Sequence, residues 1–472
     1  MKIKEAIEYI GGFKYVIDTL NIHSSAGRRI LYALPFLKVP EEIKHEIEKT
    51  DWLIDKLNDE VFSQKLELTQ MKLGQLRDIA NTLSRLKYNN TLDDIELFEI
   101  KHLAILAHSI GKEVQELKVP SIEIPNLADT IEILDPQGKM IPQFHIYNEY
   151  SATLASIRSE INRIPHSDDT EDVINRLRLK EKREEDKVRV ELTNKLQPYT
   201  EELKTALNEM GTLDLLIAKA YLAKEFRLIK PIFAEGETSL NGLFNPEIER
   251  SLKNQGKEFQ PISITIPSKP TLITGANMTG KTVLLKSIAL AQALAQFGFH
   301  VPASSAKFAP VDRIILCTTD EQDELSGLSS FAAEMIRLNK MTEHIENSER
   351  LLVLIDELAR TTNPTEGKAI VGGVLNFLSE HKVSSLITTH YTIDTLCRKL
   401  KVKGFRLKDE NVKITIHNIN NYIDYSLEEI QEEEVPHEAI YIAEILGISN
   451  DLLHRIKANL NEKKSPICSK AN

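Results

Sequence analysis

The chain has 472 residues, 42% of them hydrophobic, which is enough apolar material for roughly two to four domains with sizeable cores. Its formal net charge of -11, from 59 basic and 70 acidic residues, argues against coating nucleic acid by bulk charge but leaves room for a local basic patch. Cys317, Cys397 and Cys468 stand far apart, without Cys-x-x-Cys or Cys/His ligand spacing. They offer neither a disulfide framework nor a zinc site and fit a reducing, cytoplasmic location. The N-terminus lacks a continuous apolar segment and no apolar run reaches the ~18 residues of a membrane span, so neither secretion nor membrane insertion is expected.

From Met1 to about Lys230 the pattern is helical, with few Gly and Pro and apolar residues at three and four spacing. Ser24 to Leu31 opens a helix that Leu34-Pro35 closes, and Glu41 to Val61 begins another. After the breaks at Val119-Pro120 and Pro125, Ile131 to Gly138 reads as a strand and a turn, a small β element between helices. Ile146 to Ile164 and Asp169 to Leu196 read as two further helices, the second densely charged. Such charge suits a solvated face or a coiled-coil exterior. It also suits a phosphate-contacting arm, although Glu181, Glu184, Glu185 and Glu191 would oppose DNA phosphates and no aromatic residue interrupts the run. Leu213 to Phe226 is an apolar helix.

Past Pro231 the texture turns to short β-type runs and turns, including Asn245-Pro246 and Ile262 to Ile266, which places a domain boundary near residue 230. Thr271 to Thr274 then enters Gly275-x4-Gly280-Lys281-Thr282 and leaves as a helix from Val283. In such a loop glycines let backbone N–H groups close around phosphate oxygens, Lys281 reaches the β/γ-phosphates and the Thr282 hydroxyl ligates Mg2+. Apolar strands at Arg313 to Cys317, Leu351 to Ile355 and Ser385 to Thr388 alternate with helical stretches, indicating a parallel sheet with its ligand at the strands' carboxyl ends. Asp356 follows the second of these, placed to hold Mg2+ directly or through water. Glu357 follows it, placed to orient or deprotonate the water attacking a γ-phosphate. His390 ends Thr388-Thr389-His390 after the third strand, either sensing the γ-phosphate or serving structure. The expected fold is an α/β P-loop ATPase domain with a parallel sheet, preceded by a mainly α-helical core or lever domain.

Four stretches, GANMTGKT (275–282), DELSGLSSFAAEM (323–335), LIDELARTTNPTEGKAI (354–370) and TTHY (388–391), resemble the successive ATPase blocks of the MutS family in the same order. A weaker resemblance runs upstream through SSAGRRIL, ILDPQGKMI, LASIRSEI and LDLLIAKAYLA. The resemblance implies ATP and Mg2+ as cofactors, with Asn277 in the nucleotide loop beside Lys281 and Thr282. It implies a dimer, homodimeric or of paralogues, in which Ser329 reaches the γ-phosphate bound by the opposite subunit. Asn363 would lie at the same interface, and Phe259 would stack on adenine. Ser329 also suits a helix N-cap before Phe331 to Met341, and the two roles are compatible. Residues 1–230 then correspond to the helical lever domain and 231–472 to the ATPase domain with a C-terminal helical dimerisation segment.

Departures from the family pattern accompany the match. Ala276 and Thr279 replace a usual Pro and a small residue, and Ala359 and Thr361 replace usual glycines, which bears on the loop around Asn363. No mismatch-reading domain is expected before the helices and no nuclease-type domain after the ATPase. Only a short charged connection, near 165–190, stands where the family's DNA-gripping clamp would be inserted. The expected function is a dimeric ATPase coupling ATP binding and hydrolysis to DNA-structure binding, in a mismatch-repair or recombination role. The alternative is a protein-remodelling ATPase with a protein client, such as a reactivase of an adenosylcobalamin-dependent aminomutase.

Overall fold

Regular structure is helical from Ile3 to Glu225, and the first strand begins at Ile232. The computed structural model describes residues 1–165, 168–275, 279–318, 330–405, 422–431, 440, 443–444 and 447–462. Asn277, Ser329 and Cys468 lie outside them.

Helix Thr200–Glu225 is the axis of the helical region. It buries side chains around most of its circumference against Ser25–Ala33, Pro40–Lys56 and Asp94–Leu117. Its crossing with Ser25–Ala33 is close because Gly211 has no side chain: a Cβ there would stand 3.1 Å from the Ala26 carbonyl carbon. One turn on, Asp214 is fully buried, which would be costly for an unpartnered carboxylate. It accepts the Ser24 N–H at 2.7 Å, the Ser24 hydroxyl at 2.6 Å and the His23 N–H at 3.2 Å. Ser24 Oγ in turn accepts the Gly27 N–H at 2.9 Å, the N-cap that starts the helix expected there.

Several local expectations give way to packing and capping. Ile131 to Leu134, expected as strand, belongs to helix Ala128–Leu134, whose buried Thr130, Ile131 and Leu134 share one helical face. Burial of that face outweighs the β-branched propensity. The helix expected over Glu41–Val61 is two helices, Pro40–Lys56 and Glu60–Leu73. Asp59 starts the second by accepting the Val61 and Phe62 N–H groups at 3.0 and 3.2 Å. Asn245-Pro246, read as a turn, is the N-cap and first residue of helix Pro246–Asn254.

The charged stretch forms helix Glu171–Leu196, packed along Ala152–Arg163. Arg158 fastens the pair. Its guanidinium reaches Glu181 at 2.7 Å, Glu185 at 2.6 Å, the Ile146 carbonyl at 2.6 Å and Asn148 at 2.9 Å. Glu184 accepts from Lys187 at 2.8 Å and Ser151 at 3.0 Å. Three of the four glutamates that weighed against phosphate contacts are thus engaged within the protein, while Arg176, Arg178, Lys180, Lys182 and Arg183 are exposed.

Ten strands lie among the described residues: β1 (Ile232–Phe233), β2 (Thr238–Leu243), β3 (Ile262–Ile266), β4 (Pro270–Thr274), β5 (Ser305–Phe308), β6 (Arg313–Cys317), β7 (Leu351–Ile355), β8 (Ser384–Thr388), β9 (Arg398–Phe405) and β10 (Ile423–Glu429). One sheet runs β1-β5-β2-β3 and the other β10-β9-β4-β8-β7-β6. The second is mixed: β9, β4, β8, β7 and β6 pair in parallel, whereas β10 closes the edge antiparallel to β9. Because β4, β7 and β8 are parallel and in register, the turns that follow them gather at one edge.

Helix Lys281–Gln296, which leaves β4, is buried on nearly every side. One core joins it to the sheets and to the first helices, through residues such as Phe13, Phe36, Leu215 and Phe297. A second core lies wholly within the helical region. The Gln296 amide donates to the Leu37 carbonyl at 2.7 Å and the Leu37 N–H to the Gln296 carbonyl at 2.8 Å, so the first residues of the chain are bolted to the end of this helix.

Candidate nucleotide site

The loop after β4 begins at Gly275; residues 276 to 278 are outside the described set. It ends at Gly280, the left-handed N-cap of Lys281–Gln296 with φ 78°. Glycine is required there twice over, since a Cβ would also stand 3.1 Å from the Tyr425 ring, which lies against the loop from β10. Lys281 is only 5% exposed and its ammonium donates to the Gly275 carbonyl at 2.8 Å, folded back across its own loop.

All five residues of β7 are buried and deliver Asp356 to the same edge. The buried Asp356 accepts the Thr282 hydroxyl on Oδ2 at 2.5 Å and the Thr388 hydroxyl on Oδ1 at 2.7 Å. Thr388 Oγ1 also accepts the Glu357 N–H at 2.7 Å. Glu357 Oε1 meets His390 Nε2 at 2.8 Å, and its Oε2 accepts the Arg360 guanidinium at 2.7 Å. A continuous hydrogen-bonded path therefore runs from Thr282 through Asp356, Thr388 and Glu357 to His390. Burial pushes the Glu357 carboxyl up, but the Arg360 hydrogen bond and the charges of His390 and Arg360 outweigh it and hold the group below the usual glutamate value.

The turn carrying Glu357 is backbone-strained. Glu357 (φ 53°) and Ala359 (φ 60°) are both left-handed, a conformation that favours glycine. Ala359, which stands where the resemblance leads one to expect glycine, is fastened on both sides. Its N–H donates to Glu334 at 2.9 Å and its carbonyl accepts the Tyr391 hydroxyl at 2.9 Å. Burial pushes the Glu334 carboxyl up, opposed by that N–H.

Gly275, Gly280, Lys281, Thr282, Asp356, Glu357 and His390 are thus gathered at one sheet edge. Asn363 is exposed and caps helix Pro364–Glu380, accepting the Thr365 and Glu366 N–H groups at 3.0 Å each, outside the path just described. Phe259 is half-buried against the first core. Its neighbour Gln260 donates to Asp424 at 2.8 Å and accepts the Tyr425 N–H at 3.1 Å, tying the segment of Phe259 to the strand of Tyr425. Sequence reasoning missed Tyr425, Arg360 and Glu334. Arg360 sits three residues after Glu357, a spacing that can return a side chain over a turn, but nothing in the residues around Tyr425 marks it.

A phosphate chain laid along this edge would meet an ammonium, backbone N–H groups and a carboxylate at its far end, the requirements of phosphoryl transfer to water. The Thr282 hydroxyl and Asp356 carboxylate are the hard oxygen donors that suit Mg2+. Among the described residues no group of three or more His, Cys, Asp or Glu could hold a metal, so such an ion would complete its shell with phosphate and water oxygens.

Residues 271–464 match the family model described as MutS domain V. The chain is 37% identical over 214 residues to Endonuclease MutS2 of Thermus thermophilus, which covers 45% of this chain and 27% of that protein. It is 32% identical over 241 residues to Endonuclease MutS2 of Ligilactobacillus salivarius, covering 49% of this chain and 28% of the relative. It is 29% identical over 303 residues to Endonuclease MutS2 of Alkaliphilus oremlandii, covering 61% and 35%. The match thus spans about a third or less of these curated relatives' length. Among the described residues no helix is long and apolar enough to cross a membrane.

Proposed function

Because the chain belongs to the MutS family, we propose that it is a dimeric, cytoplasmic ATPase that uses the site at Lys281, Asp356 and Glu357 to drive action on DNA. The observation that carries this reading is the hydrogen-bonded path from Thr282 through Asp356, Thr388 and Glu357 to His390, with Lys281 beside it. In this reading Lys281 exchanges the Gly275 carbonyl for the β/γ-phosphates. Thr282 and Asp356 hold Mg2+, which when bound neutralises phosphate charge. Glu357 orients or deprotonates the attacking water, and His390 faces the γ-phosphate. Tyr425 and Phe259 supply aromatic faces for the adenine. Asn277 lines the loop, and Ser329 and Asn363 serve the interface at which each subunit completes the other's site.

Two considerations favour DNA as the client. The relatives are named endonucleases, a class that acts on nucleic acid. With Glu181, Glu184 and Glu185 engaged within the protein, the surface of helix Glu171–Leu196 also keeps Arg176, Arg178, Lys180, Lys182, Arg183, Lys187 and Lys195 exposed, against Glu171, Asp172, Asp186 and Glu191.

Paired substitutions test the site. Lys281→Ala is expected to abolish ATP binding in a nucleotide titration. Glu357→Gln is expected to bind ATP as the wild type does and to lose turnover by ~100-fold or more. Unchanged turnover in the Glu357 variant would remove that residue from the reaction.

A further inference from the structure

Both carboxylate oxygens of Glu357 are engaged by side chains, Oε1 by the His390 ring at 2.8 Å and Oε2 by the Arg360 guanidinium at 2.7 Å. The Glu357 side chain is only 14% exposed. A carboxylate acts on a water only by offering it an oxygen lone pair at hydrogen-bond distance, and a doubly paired one offers a poor lone pair. We propose that Arg360 and His390 form a releasable clamp that holds Glu357 out of the reaction, and that a γ-phosphate, by competing for both side chains, shifts the clamp toward release. This inference rests on the reading of Glu357 as the group that acts on water.

The clamp is built into the turn. Left-handed backbone at Glu357 and Ala359 curls Arg360 back over the carboxylate, and Ala359 is pinned by Glu334 on one side and Tyr391 on the other. The pairing is therefore held by fixed backbone, unlike an ordinary surface ion pair. Both side chains nonetheless have room to leave: that of Arg360 is 60% exposed and that of His390 36%. A terminal phosphate carries more charge than a carboxylate and accepts a guanidinium bidentately, so it is the stronger competitor for both. ADP lacks that group and would leave the clamp closed. While the clamp is closed, Arg360 thus acts on the reaction through Glu357.

Single-turnover hydrolysis, started by adding Mg2+ to the preformed ATP complex, reads the clamp directly. In the ATP complex clamped and released Glu357 are in equilibrium, so Arg360→Ala, which removes the clamped population, is expected to raise the rate constant by about two- to fivefold, the scale of a partly exposed ion pair. In separate fluorescence titrations ADP affinity should stay within about twofold of wild type on the same ion-pair scale, ATP affinity should fall by the lost γ-phosphate contact, and Arg360→Lys should return the rate toward the wild type. Should the alanine variant fail to bind nucleotide at all, Arg360→Gln, which keeps the stem without the charge, is read in its place. A rate lowered tenfold, as expected of a cation that stabilises the transition state, or a rate that does not change, would overturn the clamp. Undiminished turnover in Glu357→Gln would instead overturn the underlying assignment of Glu357, whatever Arg360 does.

Discussion

Lys219 lies at the end of helix Lys281–Gln296 and is 5% exposed. Its ammonium donates to the Gly298 carbonyl at 3.1 Å and the Phe297 carbonyl at 3.4 Å and sits 4.3 Å from the centre of the Phe299 ring. It thereby supplies a positive charge to the carboxyl end of Lys281–Gln296, where the helix dipole is negative. Burial pushes it down to about 8, with Glu46 opposing and Lys49 assisting. The unfolded chain, with its ordinary value of 10.5, takes up the proton more readily than the folded one. The cost of charging Lys219 is therefore fully present below about pH 8 and fades as pH rises to 10.5. Relative to Lys219→Met, the wild type is expected to gain up to ~3 kcal/mol of unfolding free energy across that window, measured by denaturant titration. Tyr425 gives a second residue-level test. If its ring stacks on adenine, Tyr425→Ala weakens ATP binding by about tenfold, in line with a lost stacking contact, while Tyr425→Phe leaves it unchanged. Lys281, Asp356, Glu357 and His390 were legible in the sequence because each directly follows, or sits one turn beyond, a buried apolar strand. Tyr425, Arg360 and Glu334 were not, since strand pairing and a strained turn, rather than local pattern, bring them to the site.

At the scale of elements, the pairing of Ala152–Arg163 with Glu171–Leu196 depends on Arg158, which makes four hydrogen bonds while only 22% exposed. Arg158→Ala leaves Glu181 and Glu185 without their shared partner. Amide hydrogen exchange in residues 152–163 and 171–185 should then speed up by the equivalent of about 1–2 kcal/mol, with helix Thr200–Glu225 unaffected. Unchanged exchange in both segments would show that apolar contacts alone hold the arm. The same helix shows what sequence reading could reach: its existence and length followed from composition, but the inward turn of Glu181, Glu184 and Glu185 did not, because it depends on where Arg158, Lys187 and Ser151 come to rest. Ala128–Leu134 fell on the other side, its isoleucines suggesting a strand until packing set a helical face.

For the whole molecule, helix Lys281–Gln296 joins the sheets to the helical region. Gln296 at its end is hydrogen-bonded to Leu37, Lys219 holds its terminal carbonyls, and one core runs from Phe13 and Phe36 through it to the sheet. Movement of the loop on nucleotide exchange cannot stay local in a core packed this way and would pass to the helical region as a shift of packed elements. Under the proposed function, that is the route by which ATP would reach a DNA contact at the exposed cations of Glu171–Leu196. The most direct test is the ATPase rate with and without duplex and branched DNA, at low and at physiological salt. An ATPase coupled to DNA predicts stimulation by DNA that falls steeply with salt, as phosphate contacts require. A rate indifferent to DNA at both salt concentrations would contradict the coupling and leave a protein as the client.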